Sequence, residues 1–328
     1  MLLTGITRAA VAAFALMAAA LQPGLAQDAA NYPNKPIRII VGFAAGGGND
    51  IFARLIGQKL SENIGQPVVI ENRVGAGARL AADYVANQPA DGYTLMVSAS
   101  GAMSVAAAVY PKLSYHPTKS FAPLAMIAHF PLILAVPSDL PIKTVTELVA
   151  YAKEHPDKAN YPSTSPAFTI TAELFKLKTG APGVMVPYKS SNEMMLSVAT
   201  QQTLYGFSDG PPAIPLVQAG KVRAIAVTGT ERSPEVPDAL SMKEAGFPEV
   251  DVQLWSGVFA PAGTPPAILK KLETELGRVL QDANVQDKLK AMAVTPGGGF
   301  GDAFRRTIDA DIEKFAGIAK AANLTFEQ

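Results

Sequence analysis

The sequence predicts an α/β protein made of two doubly wound domains. Three observations carry that expectation. β-branched apolar runs alternate with helical stripes, the alternation comes in two separate series, and about 300 residues follow an apolar leader, enough to bury two cores.

The leader, MLLTGITRAAVAAFALMAAALQPGLA, has one positive charge (Arg8), an apolar stretch from Ala9 to Leu21 and a small-residue end at Gly24-Leu25-Ala26. This is the pattern of a secretory signal peptide over residues 1–26, cut after Ala26. Its apolar stretch falls short of the ~20 residues a bilayer span needs; an uncleaved anchor is the alternative. No later stretch is long and apolar enough to span. The 328-residue chain has no cysteine, so disulfides, a thiol nucleophile and cysteine–metal sites are excluded and an exported chain must rely on its core. Lysine plus arginine and aspartate plus glutamate each number 28, and loss of Arg8 leaves a net charge of about −1. Without a basic stripe, nucleic acid and anionic membrane surfaces are poor partners.

The first series opens with a buried strand over Ile37 to Phe43, followed by a helix over Asp50 to Ile64. That helix carries Ile51, Phe52, Leu55, Ile56, Leu60 and Ile64 on one stripe and stops at Gly65. A strand over Val68 to Glu71, a helix over Arg79 to Asn87 and a strand in DGYTLMVSAS complete a β-α-β-α-β series, which implies a mainly parallel sheet. The second series follows FPLILAVPSDLP. It comprises a helix over Thr146 to His155, a strand near Asn160, a helix over Thr169 to Lys178, the strand GVMVPY, a helix over Glu193 to Thr200, and the strands TLYGFS and KVRAIAVTG. A strand in VQLWSGVFAPAGTPP and helices over Pro266 to Met292 and Phe304 to Ala322 close the chain.

Open α/β sheets bind ligands beyond the carboxyl ends of their strands. Most strand ends here carry small, polar, glycine-rich loops that feed helix N-termini: Ala44 to Asp50, Val74 to Ala78, Ser98 to Gly101, Ser163 to Phe168, Lys189 to Asn192 and Ser208 to Pro212. Unbonded N–H groups and the helix dipole make each such start a site for an anion. Ser190 and Glu193 also have the spacing of a capping box, so for any single loop plain capping is the competing reading.

Catalytic and cofactor readings fail on residue type. AAGGGND lacks the Lys-Ser/Thr of a P-loop and the spacing of a dinucleotide fingerprint. SASGA around Ser100 lacks the first glycine of a nucleophile elbow. His116, His129 and His155 have no carboxylate at metal spacing. No catalytic residue, cofactor or metal is therefore expected, and binding of a small anionic ligand remains.

The segment YPNKPIRIIVGFAAGGGNDIFARLIGQKLSENIGQPVVIENRVGAG closely resembles the opening of the tripartite tricarboxylate transporter substrate-binding proteins, the Bug family. PADGYTL, FAPLAMIA, VPSDLPIKTVTELVAYAKEHP, VPYKSS, AGKVRAIAVTGTERSPEVPD, EAGFPEVDVQLWSGVFAPAGTPP and AANLTFE extend the resemblance from about residue 32 to the end. It implies a monomeric periplasmic binding protein of type II, whose two doubly wound domains are joined by two crossing strands around a central cleft. The protein would close on a carboxylate and hand it to the permease subunits of a tripartite transporter. The division it implies is 27–132 and 257–328 for one domain and 133–256 for the other, with crossings near Phe130 to Ser138 and Trp255 to Ala262. Trp255, the only tryptophan, is then placed to report closure. A sensory module passing occupancy to a sensor kinase is the alternative function.

On the first loop the expected contacts are Phe43, Ala45, Gly46, Gly47, Gly48, Asn49 and Asp50, glycine allowing close backbone approach to a carboxylate. Gly77 and Arg79 follow from the second loop, and Ser98, Ser100 and Gly101 from the third. The second series adds Ser163, Ser165, Phe168, Thr169, Tyr188, Ser190, Ser208 and Asp209. The chain departs from the family pattern at several of these loops. Ala102 and Met103 replace polar residues, TSPAFT brings Phe168 and Thr169 to a helix start, and Ser208-Asp209 stands where Asp-Asn is common. Arg79 replaces a small polar residue. Arginine in a first helical turn opposes the dipole, so its expected role is a bidentate grip on a second carboxylate. A less polar pocket for a longer aliphatic or an aromatic carboxylate is the specificity expected.

Overall fold

A computed structural model describes residues 31–324; the expected signal peptide lies outside the described residues. The chain begins with β1 (Ile37–Val41), α1 (Gly48–Ile64), β2 (Val68–Asn72), α2 (Arg79–Ala86), β3 (Thr94–Ala99), the short α3 (Ala106–Val109) and β4 (Phe121–Pro131). It continues with β5 (Ile133–Pro137), α4 (Val145–Glu154), β6 (Asn160–Ser163), α5 (Pro166–Thr179), β7 (Val184–Pro187), α6 (Ser191–Ala199), β8 (Gly206–Ser208), α7 (Gly210–Gln218), β9 (Val222–Val227) and β10 (Leu240–Ser241). It ends with β11 (Gln253–Pro261), α8 (Pro266–Gln281), α9 (Ala283–Ala291), β12 (Thr295–Pro296) and α10 (Gly301–Ala321).

Local chemistry explains the boundaries. α1 buries Phe52, Ile56 and Leu60 one turn apart and stops at Gly65, whose left-handed backbone (φ 66°) returns its N–H to Ser61. α4 starts at a full capping box, Thr144 with Glu147. At α6 the box is only half made. Ser190 Oγ accepts from the Glu193 N–H, but the Glu193 carboxylate takes the Lys189 N–H instead of that of Ser190. α5 begins at Pro166, three residues ahead of the expected start, because proline suits a first helical turn. Asp282 separates α8 from α9 by accepting the Asn284 and Val285 N–H groups.

The strands form a six-stranded sheet in the order β12-β4-β11-β3-β1-β2, a four-stranded sheet in the order β10-β9-β5-β8, and the pair β6-β7. The expectation of a mainly parallel sheet, drawn from the first series, holds for that series' own three strands and is corrected for the sheet as a whole. β1 pairs parallel with β2 and β3, but β11 is antiparallel to β3 and β4, and β5 is antiparallel to β8 and β9. The long β4 and β11 carry the chain between the sheets side by side, so one must run against the other. Asn160 joins the pair β6-β7 to the β8 side, accepting the Leu204 N–H on both its backbone and side-chain oxygens.

β1 is apolar apart from Arg38, and both its faces are covered. Ile37, Ile39 and Val41 pack into the main core, while Ile40 faces a second cluster with Met96, Trp255, Phe259 and Phe304. The chain leaves the six-stranded sheet at Pro131 and enters the four-stranded sheet at Ile133; it has returned by Gln253, ahead of Trp255. Both passages meet at the buried Thr228. Its Oγ1 accepts the Leu132 N–H (2.8 Å) and donates to the Val252 carbonyl (2.5 Å).

Candidate functional site

The loop after β1 is held from within. Gly46 takes the left-handed region (φ 82°), and its N–H donates to Asp50 Oδ2 at 3.0 Å. Asp50 is buried. Burial opposes its ionisation, but hydrogen bonds from Arg54, the Gly46 N–H and Asn72, with the Arg54 charge, hold its carboxyl below the usual aspartate value. Arg54 binds both carboxylate oxygens at 2.9 Å, and Asn72 Nδ2 donates to Asp50 Oδ1 and to the Phe43 carbonyl, each at 2.9 Å. The Asp50 side chain thus braces the loop.

The same loop touches the second half of the molecule. The Ala44 N–H donates to the Lys189 carbonyl and the Gly48 N–H to Ser191 Oγ, both at 3.3 Å. A Cβ on Gly47 would lie 3.3 Å from Ser190 Cβ, and one on Gly48 would lie 1.7 Å from Asp209 Oδ2. Four helix starts therefore meet at the cleft. α1 faces α6 and α7 through these contacts, and α5 comes close to Gly101, whose Cβ would lie 2.8 Å from Ser165 Oγ. Asn49 Oδ1 accepts from Ser256 Oγ at 2.7 Å, and Ser208 Oγ donates to the Asp209 carbonyl at 3.1 Å. Burial pushes the Asp209 carboxyl up to about 6, with Ser191, its own backbone and Ser208 opposing part of that rise.

Beside these contacts a cavity of about 630 Å³ opens between the halves. Gly77, Arg79 and Tyr110 line it on one side; Tyr161, Ser163, Ser165, Thr169, Met185 and Tyr188 line it on the other. The Arg79 guanidinium lies on the Tyr110 ring, 3.7 Å from its centroid, and has no ion-pair partner among the described residues. Ser163 Oγ and Thr169 Oγ1 are 2.8 Å apart, and the Tyr188 N–H donates to the Ser163 carbonyl. Ala76, Gly77 and Ala78 are all left-handed (φ 48°, 62° and 73°), a run that turns the second loop into α2. A larger cavity of about 730 Å³ lies behind the hinge, lined by His129, Pro131, Thr228, Arg232, Gln253 and Lys290 among others, and none of the six expected loops reaches it.

Several expected residues lie elsewhere. Phe168 packs against the main core because α5 starts early enough to turn it inward. Ser100 ties β3 to β11, its N–H donating to the Trp255 carbonyl and its Oγ accepting the Trp255 N–H. Ser98 is buried within β3, with no partner for its hydroxyl among the described residues, and Ala45 is exposed at the loop tip. Phe43 forms a small apolar cluster with Ala78 and Ala102. Sequence reasoning missed Ser191, Ser256, Tyr110 and Tyr161. Only Ser191 had a signal, its place beside the capping Ser190.

A cleft between two α/β halves, lined by helix starts and crossed by two adjacent strands, defines a solute-binding protein. The tripartite tricarboxylate transporter family receptor model matches residues 52–324, and the chain belongs to that family. BugT of Bordetella pertussis is 33% identical over 297 residues, covering 89% of this chain and 91% of the relative. Among solved structures, R. palustris Rpa4515 with adipate superposes with a TM-score of 0.86 at 34% identity, covering 90% of this chain and 99% of the other. MatC from Rhodopseudomonas palustris with bound malate gives 0.84 at 30% identity, covering 88% and 99%. The fold is the two-domain periplasmic-binding-protein type the resemblance implied, and the family is one of receptors.

Proposed function

We propose that the protein is a periplasmic receptor that captures a small organic carboxylate between its two halves and delivers it to the membrane subunits of a tripartite tricarboxylate-type transporter. The observation that carries this reading is the meeting of the α1 start with the α6 and α7 starts. The first-turn N–H groups of a helix have no internal partner, and their dipoles favour an anion. Charge-assisted hydrogen bonds contribute about 1.5–3 kcal/mol each, so three or four hold a carboxylate without an arginine at that point. Binding, not catalysis, is the task of this arrangement. The neighbours with adipate and malate support the carboxylate class, and the leader supports export.

Arg79 takes the second carboxylate of an elongated dicarboxylate, from its shelf on Tyr110 at the cavity wall. Calorimetry with adipate and with hexanoate tests this. Arg79→Ala should weaken adipate by about 1.5–3 kcal/mol and leave hexanoate nearly unchanged. Equal effects on both, or none, would remove Arg79 from the site. A thermal-shift screen of mono-, di- and tricarboxylates in which none stabilises the protein would overturn the carboxylate reading itself.

A further inference from the structure

Asp209 starts α7 in the second half of the molecule, and the first half covers it. Its Oδ2 lies over Gly48 so closely that no Cβ fits there, and it hydrogen-bonds Ser191, whose Oγ receives the Gly48 N–H. A carboxylate is thus sealed at the floor of the cleft, 3% exposed, with no ion-pair partner among the described residues. The elements packed on it offer no compensating charge. β8 and α7 carry none besides Asp209, and Met292 and Ala293, which lie against Gly210, are apolar. On α1 the nearest charged groups, Asp50 and Arg54, are paired with each other, and on α6 Glu193 is bonded to the Lys189 N–H. Lys290, at the end of α9, is exposed. When the halves part, Asp209 regains water; when they meet, it loses it.

We propose that in mildly acidic solution closing the cleft takes up a proton from solvent on Asp209, so that capture of an anion is there coupled to protonation of the cleft floor. A neutral Asp209 also removes the repulsion an ionised one would exert on a carboxylate at the start of α1. Burial raises the closed-state carboxyl to about 6, above its ordinary value near 3.9. The contribution to closure is therefore fully present below the ordinary value and lost as pH rises through about 6. Between pH 7 and pH 5 the ratio of closed to open molecules should rise about tenfold.

The inference rests on the cleft being a closing site and not on which ligand it takes, so ligand-free protein tests it. Small-angle scattering of the mature chain should show a radius of gyration that falls as pH drops from 7.5 to 5, and Asp209→Asn should stay compact across that range. Circular dichroism checks that the variant folds. If it does not, Asp209→Ser, which keeps a capping hydroxyl and removes the charge, takes its place with the same expected result. A pH-independent radius in the wild type, or a pH response that survives in the neutral variant, overturns the proposal.

Discussion

Gly48 leaves no room for a side chain where the two halves meet, since its Cβ would fall 1.7 Å from Asp209 Oδ2. Gly48→Ala should displace that carboxylate, break the Ser191 contact and weaken carboxylate binding by about tenfold or more while the protein stays folded. Calorimetry on a variant with unchanged circular dichroism checks this. Gly47 has more space, with Ser190 Cβ 3.3 Å away, so Gly47→Ala should cost less than Gly48→Ala, whereas the larger Gly47→Val should abolish binding. Asp50→Asn should lower stability by about 1–3 kcal/mol through lost buried hydrogen bonds. Because the Asp50 carboxyl is held below its usual value, its contribution is present above the ordinary aspartate range and lost in acid. The gap between wild type and variant in urea unfolding should therefore close as pH falls below about 4. The glycine loop was legible because strand, glycines and helix start are consecutive. The pairings of Ser191 with Gly48 and of Ser256 with Asn49 were not, because they join residues 143 and 207 apart, where no local pattern reaches.

Among the elements, periodicity located the helices and strands well because it reports burial, and burial is what the apolar stripes of α1 and the doubly covered β1 satisfy. Strand direction left no such trace. An antiparallel β11 and a parallel one bury the same residues, so the mixed sheets could not be read from the pattern. Proline opens α5 at Pro166 and stands in the first turn of α7 at Pro211 and Pro212, while Pro215 lies inside α7 without preventing the helix. Thr228 is the element-scale residue to test. Thr228→Val removes the hydroxyl that joins both passages, leaving the Leu132 N–H and the Val252 carbonyl buried without it, and should cost about 2–4 kcal/mol in urea unfolding. Thr144→Ala, which strips the α4 cap far from the cleft, should cost about 1 kcal/mol and leave binding unchanged.

At the scale of the molecule, two sheets linked by paired strands make hinge closure the natural motion. Scattering profiles should contract when a saturating carboxylate is added; identical profiles would count against it. Trp255 is a weaker reporter than its position in the sequence suggested. It is buried against Phe304, and its indole N–H donates to Asp311 of α10 at 2.6 Å, so its fluorescence should change little with ligand.

The bonds from Ala44 to Lys189 and from Gly48 to Ser191 join the halves directly. A molecule in which these bonds are made is shut and admits no solute. Encounter is consequently gated. Association should run below the diffusional rate in proportion to the shut fraction, and loosening either bond should speed both arrival and escape. Stopped-flow rates on Ser191→Ala would show the paired acceleration.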